Sequence, residues 1–145
     1  MPTTLGQPFR LDWRGAPPHM LAPDVPVWYR FLEQVRPQVQ HLYLDALLGG
    51  PFLTDQEEAD PLKKSWRYVN SKRPDAIIET PTEIWIIEVA SHPGLRATGQ
   101  CLTYLCLWIE DPVITKPERS LLVIESIDTD LGAACAKFGV LIYVV

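Results

Sequence analysis

The second half of the chain alternates short apolar runs with amphipathic stretches, which is the pattern of an α/β domain. Two β-rich runs, 75–80 and 83–90, are separated only by Pro81-Thr82, and this spacing predicts an antiparallel hairpin. Apolar runs bounded by turn residues predict three further strands at 41–48, 120–126 and 140–145.

Helices are predicted where apolar residues recur every three or four positions, which occurs at 27–35, 97–109 and 129–138. In the second of these, the stripe 101, 102, 105, 106 and 109 is expected to face the core. Residues 52–73 are expected to form a loop with one short helix at most. The element order predicts a mixed central sheet that contains an antiparallel hairpin and is flanked by helices.

The first 26 residues contain six of the 14 prolines, so they are expected to form neither a helix nor a central strand. Their apolar side chains, among them Phe9, Leu11 and Trp13, make a free tail improbable. We therefore predict an extended arm, 1–26, that precedes an α/β domain, 27–145. The arm is expected to lie on its own domain or on other protein subunits, in a homo-oligomer or a larger assembly.

Composition narrows the class of protein. A chain of 145 residues with 47% hydrophobic residues fits one globular domain. No apolar run approaches the ~18 residues that span a bilayer, and no secretory signal is visible, so a cytoplasmic protein without a membrane partner is expected. The three cysteines form no C-x-x-C unit and are expected to be reduced thiols that bind no metal.

Charge is unevenly distributed along the chain, whose net charge is −5. The segment 61–74 has no acidic residue, and the other 131 residues carry a net charge of −10. Its basic residues, interleaved with Trp66 and Tyr68, could contact the phosphates of double-stranded DNA. The alternative is a solvated loop whose aromatic side chains pack into the core. The basic residues are Lys63, Lys64, Arg67, Lys72 and Arg73.

The predicted hairpin brings two acidic residues together. If the turn is centred between Pro81 and Thr82, paired residue numbers add up to 163, and Asp75 faces Glu88. Both would project from a mostly apolar face, where an unpaired carboxylate is costly and a divalent cation would relieve the repulsion. The alternatives are that Asp75 is a turn residue and that Glu88 pairs with Arg96.

The helix after the hairpin carries Arg96, Gln100 and Tyr104 at a spacing of four, so these residues share one face. That face is expected to lie opposite the apolar stripe and over the acidic pair. A guanidinium, an amide and a phenol above two carboxylates suit a metal ion and a phosphate. Gln100 could instead be a solvated helix residue, and Tyr104 a half-buried core aromatic.

Three segments, R-P-D-A-I-I, I-W-I-I-E-V-A and G-Q-C-L-T-Y-L, together resemble the PD-(D/E)XK nuclease superfamily. The resemblance implies a restriction-endonuclease-like core and a site that binds Mg²⁺ or Mn²⁺. The implied metal ligands are Asp75, Glu88, the backbone carbonyl of Val89 and a further acidic residue, Glu33. It also implies that Gln100 supports catalysis and that Tyr104 contacts DNA.

The chain departs from this family at one position, where Ala90 replaces the family's lysine. That lysine activates the attacking water, and its loss is expected to lower the rate of cleavage strongly. We therefore expect a degenerate, non-cutting or weakly active module that serves as a binding or structural component, with Mg²⁺ or Mn²⁺ as cofactor if the site is active and otherwise none. By analogy with small phage proteins, its setting would be the head-tail neck or connector of a virion, or the host cytoplasm. The alternative is a Mg²⁺- or Mn²⁺-dependent DNA nuclease in which Arg96 or Lys72 replaces the lysine.

Overall fold

A computed structural model describes residues 2–145 and contains a five-stranded open sheet in the order β1-β2-β3-β4-β5. β1, β2 and β3 are antiparallel, whereas β3, β4 and β5 are parallel, so the predicted mixed α/β sheet is confirmed. The strands are β1 (His41–Tyr43), β2 (Ala76–Glu79), β3 (Ile84–Val89), β4 (Glu118–Ile124) and β5 (Val140–Val144).

Helices cover both faces of the sheet. The first helix buries Trp28 and Phe31 against one face, and the fourth buries Tyr104 and Trp108 against the other. Within residues 2–145, none of the helices combines the length and the apolar character needed to cross a membrane. The helices are α1 (Val25–Val35), α2 (Asp55–Glu58), α3 (Pro61–Asn70), α4 (Arg96–Glu110) and α5 (Thr129–Lys137), with 3-10 turns at Ala22–Asp24 and Arg36–Gln38.

The β2–β3 hairpin has the predicted register. Ala76 pairs with Ile87 and Glu79 with Ile84, so paired numbers add up to 163 along the whole hairpin. The hydroxyl of Thr80 holds the turn by accepting a hydrogen bond from the backbone amide of Glu83 at 2.9 Å. This contact compensates for Pro81-Thr82, which is not a favoured pair for a two-residue turn.

The predicted strand at 41–48 is too long. Only His41–Tyr43 pairs with β2, and the chain then turns away. Leu47 forms a bridge with Thr4 of the arm, and Leu48 forms one with Lys72. The alternation of polar and apolar residues that suggested a continuous strand therefore reflects pairing with three different neighbours, namely β2, the arm and Lys72.

The expectation of a loop at 52–73 is wrong, because this segment forms α2 and α3. A capping box of Thr54 and Glu57 begins α2. The side chain of Asp60 begins α3 by accepting a hydrogen bond from the amide of Leu62 at 2.9 Å. Both signals are present in the sequence but precede no conventional apolar stripe.

α3 presents a polar residue to the protein and an apolar stripe to solvent. Its single buried residue, Arg67, binds the backbone carbonyl of Pro2, the hydroxyl of Thr4 and the carboxylate of Glu58. The alternative in which Trp66 and Tyr68 pack into the core is also wrong, since they are 50% and 39% exposed. The stripe consists of Leu62, Trp66 and Val69, which are 81%, 50% and 68% exposed.

The N-terminal arm packs on its own domain. The amide of Phe9 donates to the carbonyl of Leu42 at 2.7 Å, which covers the outer edge of β1. Phe9, Leu11, Trp13 and Met20 pack against the core beside α1. The first of the two predicted locations for the arm is therefore confirmed.

The buried stripe of α4 differs from the predicted one. Tyr104 and Trp108 point to the sheet together with Ala97 and Cys101, whereas Cys106 and Ile109 are exposed. The prediction is wrong because it chose the most apolar side of a helix that is apolar on more than one side. Large aromatic side chains fill the space above β2 and β3 instead.

Candidate functional site: an acidic pair beneath Tyr104

Asp75 and Glu88 lie on the sheet face that α4 covers. Asp75 directly precedes β2 and is 4% exposed, and the register of the hairpin places it opposite Glu88 of β3. Its Oδ2 accepts a hydrogen bond from the backbone amide of Val89 at 2.8 Å. The structure therefore brings the two acidic residues together, as predicted from the hairpin, and the Val89 amide binds one of them.

The environment of the pair favours protonation. Burial raises the pKa of Asp75 to about 6. Burial, together with the adjacent Asp75 carboxyl, raises the pKa of Glu88 to about 9. At neutral pH the pair therefore holds one proton and one negative charge.

Neither carboxyl has a cationic partner in the part of the chain that the structure describes. The ion pairs among residues 2–145 involve other acidic residues, so the pairing of Glu88 with Arg96 does not occur. The Oε2 atom of Glu88 is buried and has no hydrogen-bond partner within residues 2–145. A buried oxygen without a partner is costly and leaves a ligand position open at the pair.

Two side chains of α4 close the site from above. The hydroxyl of Tyr104 interacts with the Glu88 carboxyl, and burial raises the pKa of Tyr104 above its ordinary value, so the phenol stays protonated. Burial also raises the pKa of the nearby Cys101 thiol to about 12. Cys101 is therefore neutral at physiological pH and is a poor metal ligand.

A third acidic residue near the pair is Asp24, the last residue of the 3-10 turn that precedes α1. Its side chain does not cap α1 and instead accepts hydrogen bonds from the amide and hydroxyl of Ser91, at 2.9 Å and 3.0 Å. Its negative charge contributes to raising the pKa of both Asp75 and Glu88. The position of Ser91, two residues beyond the end of β3, brings Asp24 to this end of the sheet.

The structure does not bring Glu33 to the pair in the same way. The Glu33 side chain is exposed and forms ion pairs with Arg14 and Arg36, the latter at 3.5 Å. These two arginines account for its charge without a metal ion. The acidic residue whose charge reaches the pair is therefore Asp24, in the 3-10 turn before α1, and not Glu33 on α1.

A basic groove runs beside the pair and consists of two adjoining pockets that share Lys72 and Tyr104. The arm pocket, of about 410 Å³, is lined by residues 18–21, Tyr68 and residues 71–73 in addition to Tyr104. The helix pocket, of about 470 Å³, is lined by Arg96, Gly99, Gln100 and Thr103 together with the shared residues. Neither pocket has an acidic side chain in its lining.

The predicted DNA-contacting residues fall into three groups. Lys72 and Arg73 are exposed and line the groove, as do Arg96, Gln100 and Tyr104. Lys63 and Lys64 are exposed on α3, where the Lys63 ammonium lies 5.5 Å from the centre of the Trp66 ring. Arg67 points inward and binds the arm, so its guanidinium is not presented to a ligand.

The carboxyls of the pair are groups that a divalent cation takes as ligands. Among residues 2–145, no three His, Cys, Asp or Glu side chains are grouped in a way that could hold a metal ion. Two carboxyls nevertheless suffice for Mg²⁺, which proteins commonly bind through one or two carboxylates while waters and substrate phosphates complete the shell. The orphaned Oε2 of Glu88 is one such ligand atom.

No family model matches the chain, and neither the curated proteins nor the solved structures include one with significant similarity to it.

We expect the buried proton to make stability depend on pH. Because both pKa values are raised by folding, the stabilisation is complete below the ordinary carboxyl range and is lost as pH rises toward about 9. In metal-free buffer the wild type should lose on the order of 1 kcal/mol per pH unit across this range, about 3 °C per unit in melting temperature.

Glu88→Gln should remove most of this slope and raise the melting temperature above that of the wild type at alkaline pH. Glu110→Gln, at an exposed position on the same protein, is the matched control and should follow the wild type. Thermal melts of the three proteins between about pH 5 and pH 9 measure this dependence of the melting temperature on pH. Parallel curves for the wild type and Glu88→Gln would show that Glu88 carries no buried proton.

Proposed function

We propose that this protein is a nucleic-acid-binding module with a nuclease-like acidic pair that cuts DNA weakly or not at all. The observation that carries the proposal is the buried Asp75–Glu88 pair, which lacks a cationic partner among the described residues and lies beside a basic groove. A structural ion pair would have supplied the missing cation from within the chain. Its absence is what a site that takes the cation from solution requires.

The pair would hold Mg²⁺ or Mn²⁺ through the carboxyls of Asp75 and Glu88, with the carbonyl of Val89 as a further ligand. The cation would supply positive charge for a DNA phosphate in the groove. Its binding would displace the proton that Glu88 holds, so affinity for the metal should increase with pH. Tyr104 would hold the Glu88 carboxyl in position through its hydroxyl.

Weak or absent cleavage follows from the residues around the pair. Ala90 carries no group that can activate water, and its amide donates to the carbonyl of Val123 at 2.9 Å. Lys72 and Arg96 are the candidate replacements, but neither forms an ion pair with Asp75 or Glu88 and neither contributes to their pKa shifts. The arrangement therefore supports the binding module over the active nuclease.

The binding module would act within a larger assembly. Exposed apolar side chains on α3, namely Leu62, Trp66 and Val69, form a surface that a protein partner could cover. The arm is already packed on its own domain, so α3 is better suited than the arm to contact other subunits. A setting in a phage particle stays a prediction.

DNA should bind across the groove. In fluorescence anisotropy with a short duplex and Mg²⁺, Lys72→Gln/Arg96→Gln should weaken binding about tenfold or more at low salt. The slope of log K against log salt should become less negative by about 2, because two phosphate contacts are lost.

The matched control is Arg10→Gln/Lys137→Gln, which removes the same charge from exposed residues outside the two pockets. This variant should bind DNA nearly as the wild type does. Equal losses in both double variants would mean that binding follows net charge, and the groove would not be the DNA site.

Cleavage distinguishes the binding module from the nuclease. With supercoiled plasmid and Mn²⁺, the wild type should cut slowly or not at all, whereas Ala90→Lys should cut at least about a hundredfold faster because a positioned basic group is restored. Glu88→Gln/Ala90→Lys is the control and should be inactive. Efficient wild-type cutting that Glu88→Gln abolishes would establish the nuclease instead.

A further inference from the structure

The arm pocket combines positive charge with flat ring systems, two features that a site for a metal-bound DNA phosphate does not need together. Its charged side chains are Lys72 and Arg73, and no acidic residue lines it. The guanidinium of Arg73 lies 4.8 Å from the centre of the Tyr68 ring, which holds a cation beside an aromatic surface. Tyr68 is 39% exposed, so its ring is accessible.

The arm also lines this pocket, through residues 18–21. The side chain of His19 is almost fully buried, and its ring centre lies 6.0 Å from that of Tyr68. Burial lowers the pKa of His19, although the Asp45 carboxylate 2.7 Å from its Nε2 opposes the shift. The lowered pKa favours the uncharged imidazole, which lies next to the Tyr68 ring that Arg73 contacts.

We propose that the arm pocket binds a nucleotide, with the base against the exposed ring of Tyr68 and the phosphate on Lys72 and Arg73. Charge-assisted hydrogen bonds to phosphate and stacking of a base on an aromatic ring are the two interactions that this lining offers. The volume of about 410 Å³ lies within the range typical of small-molecule sites, about 300–1,000 Å³.

The nucleotide could be free or could be the terminal residue of a DNA strand, because both present a base and a phosphate. Lys72 and Tyr104 belong to the arm pocket and to the helix pocket, so a bound strand end would continue along the groove. In that form the inference rests on the proposed function. Binding of a free nucleotide does not depend on it.

Calorimetric titration of the full chain tests the pocket with three probes: deoxyadenosine 5′-monophosphate, deoxyadenosine and inorganic phosphate. The monophosphate should bind at least about tenfold more tightly than either fragment, because only it makes both interactions. Tyr68→Leu and Arg73→Gln should each weaken it at least about fivefold. Arg10→Gln, an exposed arginine outside the pocket, should leave it unchanged.

Thermal melts confirm that each variant is folded before its affinity is compared. No measurable binding of the monophosphate, or binding no tighter than that of phosphate, would overturn the proposal, as would an unchanged affinity in Tyr68→Leu. The source of the ligand is identified by competition, since a 5′-phosphorylated single strand should displace the monophosphate better than its unphosphorylated counterpart if strand ends bind.

The outcome is separable from that for the proposed function. Duplex binding that depends on Lys72 and Arg96 without binding of the monophosphate would leave the groove in place and remove the nucleotide pocket. Binding of the monophosphate without duplex binding would support the nucleotide pocket and remove the groove as the DNA site.

Discussion

Burial of two like-charged groups without a counter-ion is the constraint from which the chemistry of this protein follows. Asp75 and Glu88 face each other on adjacent strands beneath α4, where solvent cannot screen their repulsion. A pair of this kind persists only if it keeps a proton or binds a cation. The raised pKa values are the first solution, and a divalent metal ion would be the second.

The hairpin and its acidic face could be predicted from the sequence because they depend on local rules. The two-residue turn at Pro81-Thr82 sets the register, and the alternation of side chains then determines which residues share a face. Asp24 could not be found in this way. It lies about 50 residues or more from either acid in sequence, and only the tertiary packing of α1 and the 3-10 turn brings it near.

Other differences arise where a local pattern has more than one solution. α4 is apolar on two sides, so periodicity does not select the side that carries Tyr104 and Trp108. α3 has clear caps but exposes its apolar stripe and buries Arg67, which reverses the usual rule for a surface helix. A helix of this kind suggests that the apolar stripe serves an interaction and not the folding of the chain itself.

The arm contributes both to the fold and to the lining of the groove. It covers the edge of β1 and supplies His19 to one wall of the groove. Arg67, one of the five basic residues expected to contact DNA, instead binds the start of the arm and connects it to α3. The charges that line the groove are therefore Lys72 and Arg73, which follow α3, and Arg96 on α4.

The protonation state of Glu88 in the metal-free protein is the most direct measure of this account. Carbon-13 NMR of the glutamate side-chain carboxyls, with Glu88 assigned by comparison with Glu88→Gln, reports it without reference to activity. The account predicts a resonance of a protonated carboxyl at neutral pH that ionises only as the pH approaches about 9. A Glu88 resonance that is already ionised at pH 7, titrating near the ordinary value of about 4.3, would contradict the buried-pair interpretation on which the proposed function depends.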